Sequence, residues 1–134
     1  MCPGSVKAMA YAHTTIGELG DESFRKVRRA LGITAFGANV IVIQPGITGR
    51  AHYHEEQDEL YFVHKGRAIF DLPDERIELG PGGLIHVEST TPRRVTNPGP
   101  DELVMLVVGA KDGYVGRDGA PANPKSFLRE LDAD

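Results

Sequence analysis

The chain has 134 residues, a net charge of −4, 40% apolar and 25% charged residues. That is the size and make-up of one globular domain able to bury a core without staples, and it excludes wholesale disorder. The mildly acidic balance offers no footprint for DNA or RNA, and no apolar run approaches the roughly 20 residues of a membrane helix.

The first 15 residues hold no apolar stretch of signal-peptide length. The single cysteine, Cys2, permits no internal disulfide, which fits a reducing compartment. The expectation is a cytoplasmic protein with no nucleic-acid or membrane partner. Phe24, Val27 and Leu31 fall at helical spacing, with Asp21 placed to start and Gly32 to end a helix over 22–31. The basic cluster Arg25, Lys26, Arg28 and Arg29 reads as a solvated face. From there the chain is punctuated by many of its 16 glycines and nine prolines. Asn39–Gln44 is a β-branched strand stopped by Pro45-Gly46. Glu59–His64 and Arg67–Leu72 are strands that Lys65-Gly66 joins as a hairpin. After Pro73-Asp74-Glu75, the run Arg76–Leu79 pairs back. Leu84–Glu88, Arg93–Thr96 and Glu102–Gly109 follow. Residues 111–123 read as a loop or arm, and 125–131 as a short helix entered after Pro124. Short strands at even spacing predict an antiparallel sandwich or barrel in one domain.

The chemistry concentrates in GITGRAHYHEEQDELYFVHKG, Gly46 to Gly66. Residues i and i+2 of a strand share a face, so His52 and His54 present two imidazoles to one cation while Tyr53 points away. Imidazole suits Zn, Cu, Fe and Ni, and a carboxylate such as Glu59 extends the range toward Mn. Together they have the composition of a two-His-one-carboxylate triad. The competing reading makes both histidines loop residues beside a solvated acidic run, Glu55, Glu56, Asp58 and Glu59, and spacing alone leaves the two even. There is no nucleophile elbow, phosphate loop or dinucleotide fingerprint.

The same stretch resembles the first motif of the cupin superfamily. Gly46, His52, His54, Glu59 and Gly66 occupy its fixed positions at the family's spacing. The second motif, laid from Gly82 to Asn97, fits in spacing but departs in content: Glu88 replaces its proline, Thr90 its glycine and Arg93 its histidine. The resemblance implies an all-β cupin jelly-roll barrel over about 37–109, with N-terminal strands, a C-terminal arm at 110–134, and assembly as a homodimer. It implies that His52, His54 and Glu59 are ligands of one divalent transition metal (Fe, Mn, Ni or Zn). It also argues for a strand rather than a helix at 24–31.

Arg93 divides the functional readings, because a guanidinium stays protonated and cannot ligate. In the first reading the metal stays on three ligands and Arg93 clamps the acidic end of a small-molecule anionic substrate. The protein is then a metal-dependent enzyme of oxygenase, isomerase or lyase type. In the second, Arg93 pairs with Glu59 and replaces the metal, leaving a non-catalytic small-molecule binding protein. In the third, Arg93 is a surface residue. Strand parity adds Tyr61 and Arg50 as substrate contacts. His86 or Glu88 could add a ligand, although a packed His86 and a Glu88 paired to Arg93 or Arg94 are the plainer readings. The tail from 111 could cross to a partner or lid the barrel.

Overall fold

The structure, a computed structural model, describes residues 10–127. Ten short strands and one helical turn of five residues follow one another: β1 (Phe24–Lys26), α1 (Val27–Leu31), β2 (Gly37–Ile43), β3 (His52–His54), β4 (Asp58–Lys65), β5 (Ala68–Leu72), β6 (Glu75–Leu79), β7 (Leu84–Val87), β8 (Arg94–Thr96), β9 (Leu103–Ala110) and β10 (Gly119–Pro121). One antiparallel sheet has the order β1-β2-β9-β4-β7. The second layer comprises β6-β5-β8 and β10-β3. Two antiparallel bridges, Thr48 to Thr96 and His52 to Arg93, join these pieces edge to edge.

The all-apolar run of β9 marks a strand covered on both faces. Leu103, Met105 and Val107 enter the core between the layers, with Tyr61 and Val63 of β4 and Phe70 of β5. Tyr61 and Phe70 meet edge-on across the layers, centroids 5.0 Å apart, a geometry that favours aromatic pairs. Val104 faces the other way and packs with Val40 and Val42 against Ile16, Leu19 and Val27. The N-terminal segment thus covers the back of the first sheet.

Three expectations change. The segment 22–31 is both a strand and a helix: Phe24–Lys26 pairs with β2, and the helix starts at Val27. Lys26, not Asp21, occupies the position before its first turn and makes no side-chain cap, whereas Gly32 closes the helix in the left-handed conformation as expected. Lys65-Gly66 is not a hairpin turn. β4 pairs with β7 and β9, and β5 pairs with β6 and β8, so the chain crosses from one layer to the other at Gly66. The stretch 111–123 contains a strand, β10, which pairs with His52–His54. The helix expected at 125–131 falls partly outside the described residues. A 3-10 turn spans Pro124–Ser126.

Asn97, the last residue of the second motif, is fully buried. Its side-chain amide donates to the carbonyls of Ile43 and Asp101, and its side-chain oxygen accepts from the Gly99 amide. It ties the end of β2 to the β8–β9 connection, which is a structural use of that position.

Candidate metal centre

β3 and β4 supply the three expected ligands. Strand geometry brings the His52 and His54 rings together edge to face, centroids 5.2 Å apart. Glu59 enters from the facing layer, its Oε2 3.2 Å from His54 Nε2. One ligand atom from each of His52, His54 and Glu59 lies within 4.8 Å of the others. Two ligands of one ion sit about 3–4 Å apart when each bond is about 2.1 Å. The group fits an ion after a small contraction.

The surroundings of the three side chains fit a metal centre too. His52 Nδ1 lies 3.1 Å from the Arg50 carbonyl, and His54 Nδ1 lies 2.8 Å from Asp118 Oδ1. With each Nδ1–H donated to an oxygen, each Nε2 keeps its lone pair for a cation, the usual support of a metal-bound histidine. Asp118 is itself fixed. Its Oδ2 accepts from the amides of Glu56 and Gln57, and its Oδ1 from the Gln57 side-chain amide. Glu59 is held through its other oxygen, Oε1, which accepts from the Tyr61 hydroxyl at 2.6 Å and from Arg93 at 2.8 Å. Oε2 stays with His54.

Charge follows this wiring. Burial pulls the His52 ring below its ordinary pKa, and the Arg93 charge adds to that against the Arg50 carbonyl. Burial acts on His54 in the same sense, but its bonds to Glu59 and Asp118 outweigh it and the net shift is upward. Burial would raise Glu59. The bonds from His54 and Tyr61 and the charges of His54 and Arg93 reverse that and hold it below the usual carboxylate range. Asp118 is held far below it, burial again being outweighed by its bonds to Gln57, His54 and Glu56. Tyr61, buried beside Glu59, is pushed far above the phenol range and keeps its proton.

Arg93 is fully buried, which disposes of the surface reading. The bridge between His52 and Arg93 makes them directly opposed residues, and such pairs share a face. Besides Glu59, the guanidinium donates to the carbonyls of Thr91, Glu88 and Ser89. Four of its five N–H groups are thereby used within the protein. The Glu88 contact is through its backbone; its side chain is exposed. Arg94 pairs with Asp71 instead. His86 is exposed on β7, 3.9 Å from Asp58, and is neither packed nor a ligand of this group.

The three ligand residues line a cavity of about 620 Å³ between the layers. Ile41, Met105 and Val107 form apolar wall, and Tyr61 and Arg50 line it as parity predicts. The cluster expected to be a plain solvated face also contributes: Lys26, Arg28 and Arg29 reach the cavity. So does the segment after β9, through Tyr114, Val115, Arg117 and Asp118. Asp118 and Gln57 are the site residues that the sequence reading misses. Asp118 lies 64 positions from His54 in a Gly-rich stretch, and no spacing rule links the two. Gln57 sits unmarked in an acidic run.

A family profile described as a cupin domain matches residues 39–109, more than half of the chain. The protein belongs to the cupin family. An uncharacterized protein of Methanocaldococcus jannaschii is 28% identical over 65 residues, 48% of this chain and 52% of that one. This cupin therefore spans about half the length of the curated relative it matches. Among solved structures, a sugar phosphate isomerase from a cupin superfamily of Silicibacter pomeroyi aligns with TM-score 0.61 and 25% identity, covering 66% of this chain and 58% of that one. An uncharacterized protein of Klebsiella pneumoniae with a double-stranded β-helix domain aligns with TM-score 0.69 and 17% identity, covering 83% and 96%. That last likeness shows the fold alone. Among the described residues no helix is long and apolar enough to cross a membrane.

Proposed function

We propose that this cupin is a metal-dependent enzyme acting on a small acidic or oxygenated metabolite, with a reaction of oxygenase, isomerase or lyase type. One observation carries the reading. Both imidazoles have Nδ1 beside an oxygen acceptor, and one ligand atom each of His52, His54 and Glu59 stands within 4.8 Å of the others in a cavity of substrate size. His52, His54 and Glu59 would hold one divalent ion, Fe, Mn, Ni or Zn. Bound there, it would supply a Lewis acid or an O2-binding centre. The likeness to a protein named as a sugar phosphate isomerase supports the isomerase class among the three.

The protein's own groups then divide the work. Asp118 fixes the His54 ring, and the Arg50 carbonyl fixes His52. Tyr61 and Arg93 fix Glu59. With its donors so committed, Arg93 serves chiefly as the holder of Glu59 and has at most one N–H for a substrate anion. The apolar wall excludes water from one side of the site. Assembly as a homodimer belongs to the same reading and is checked by light-scattering mass.

The second reading keeps a specific support, the Arg93–Glu59 pair that it requires. There the protein is a metal-free, non-catalytic binding cupin. A screen of carboxylate and phosphorylated metabolites with oxygen uptake, using metal-loaded wild type and the His52→Ala/His54→Ala variant, separates the two. The enzyme reading expects turnover that the variant loses. Turnover that survived removal of both histidines would overturn it.

A further inference from the structure

The lining of the cavity carries charge that the candidate metal centre does not use. Lys26, Arg28, Arg29, Arg50 and Arg117 all line it, from β1, α1, the β2–β3 connection and the segment before β10. Three separate stretches of the chain, 26–29, Arg50 and Arg117, deliver five cations to one cavity lining, in a chain whose net charge is −4. Among the described residues none of the five is paired with a carboxylate. Arginines elsewhere do have such partners: Arg67 with Glu78, Arg76 and Arg94 with Asp71, Arg93 with Glu59. The carboxylates lining the cavity, Glu59 and Asp118, are already engaged by His54, Tyr61, Arg93 and backbone amides. Arg28 is also oriented, its Cζ 3.8 Å over the Tyr114 ring and its Nη1 donating to the Ile33 carbonyl, contacts that hold the guanidinium plane while leaving its other N–H groups for a ligand.

We infer that this lining is a subsite for the phosphate monoester of a small molecule, whose oxygenated end reaches His52, His54 and Glu59. Several unpaired guanidinium groups around one concavity suit a doubly charged group with three acceptor oxygens, whereas one arginine would satisfy a carboxylate. The enclosing cavity selects a small molecule. A net charge of −4 gives no general attraction for a nucleic acid strand. The inference deepens the proposed function in naming its substrate class, but the phosphate subsite itself can be tested without metal.

The test is calorimetric titration of metal-stripped protein, in phosphate-free buffer at constant salt, with 2-phosphoglycolate, glycolate and citrate as probes. The proteins are wild type, Arg50→Gln/Arg117→Gln, Arg28→Gln/Arg29→Gln, and Arg67→Gln as a control away from the cavity. Thermal melts establish that each is folded. The expected result is that 2-phosphoglycolate binds at least about tenfold more tightly than glycolate or citrate, the yield of one charge-assisted contact. Each double variant should weaken it by about tenfold or more, and Arg67→Gln should not. Equal affinity for citrate, or equal loss in Arg67→Gln, would overturn the subsite. So would unchanged binding in both double variants. Because the protein is stripped, these outcomes do not depend on whether the histidines bind metal.

Discussion

At the scale of single residues, Asp118 and Arg93 carry the account. Asp118 orients His54 while being fixed by the Glu56 and Gln57 amides. Asp118→Asn keeps an acceptor but loses the charge behind the imidazole. It should lower affinity for Mn(II) or Zn(II) by about 10–100-fold, the usual cost of losing such a partner. Competition with a chromogenic chelator measures it, and unchanged affinity would remove Asp118 from the site. Arg93 is a fully buried cation on a buried carboxylate. Arg93→Met leaves Glu59 without its cation and the Thr91 carbonyl without the guanidinium it accepts from, while the Glu88 and Ser89 carbonyls keep only the amides of Thr91 and His54. In metal-free protein it should cost about 3–5 kcal/mol in urea unfolding. A loss below about 1 kcal/mol would mean that the pair is a weak one, as exposed pairs are.

At the scale of elements, the crossing between the layers turns on Gly66. It has φ +85°, and an added Cβ would lie 2.8 Å from Leu103 Cα and closer still to the Glu102 carbonyl. Gly66→Ala should destabilise the protein by at least about 1–3 kcal/mol, seen in chemical unfolding, because both the backbone conformation and the space are unsuitable. A neutral substitution would show that the crossing is not tightly built. This position also shows where sequence reading stops. Two strands separated by Lys-Gly look like a hairpin locally, and only pairing partners far along the chain, β7 and β9 for one and β6 and β8 for the other, decide otherwise. Local signals did locate the apolar strands β2, β4, β5 and β9, since β-branched runs ended by glycine and proline need no distant information, but they missed β1 and β10, which only pairing with β2 and β3 reveals. Strand period put His52 and His54 on one face, but spacing alone left their partnership with Glu59 even, and it was the resemblance to the cupin motif that joined Glu59, on another strand in the facing layer, to them. At 22–31 helical spacing identified the end of the helix, where Gly32 acts locally, but not its start, where pairing with β2 overrides it. Asp118 and the cationic lining are assembled from segments far apart in sequence, so nothing near them in the chain announces a shared place.

At the scale of the whole molecule, the two layers act as a frame that holds His52, His54 and Glu59 together in one cavity. Binding that occurs only in the folded state raises stability by mass action. Saturating Mn(II) or Zn(II) should therefore raise the melting temperature of stripped wild type and leave that of His52→Ala unchanged. An equal rise in both would place the bound ion elsewhere.

The most direct measurement is the metal content of the protein, expressed without a polyhistidine tag and never exposed to chelator, beside that of His52→Ala. The account predicts near one transition-metal ion per chain in the wild type and its loss in the variant. No metal in the wild type, even after incubation with Fe(II), Mn(II), Ni(II) and Zn(II), would contradict it. Arg93 would then stand as the cation that takes the ion's place.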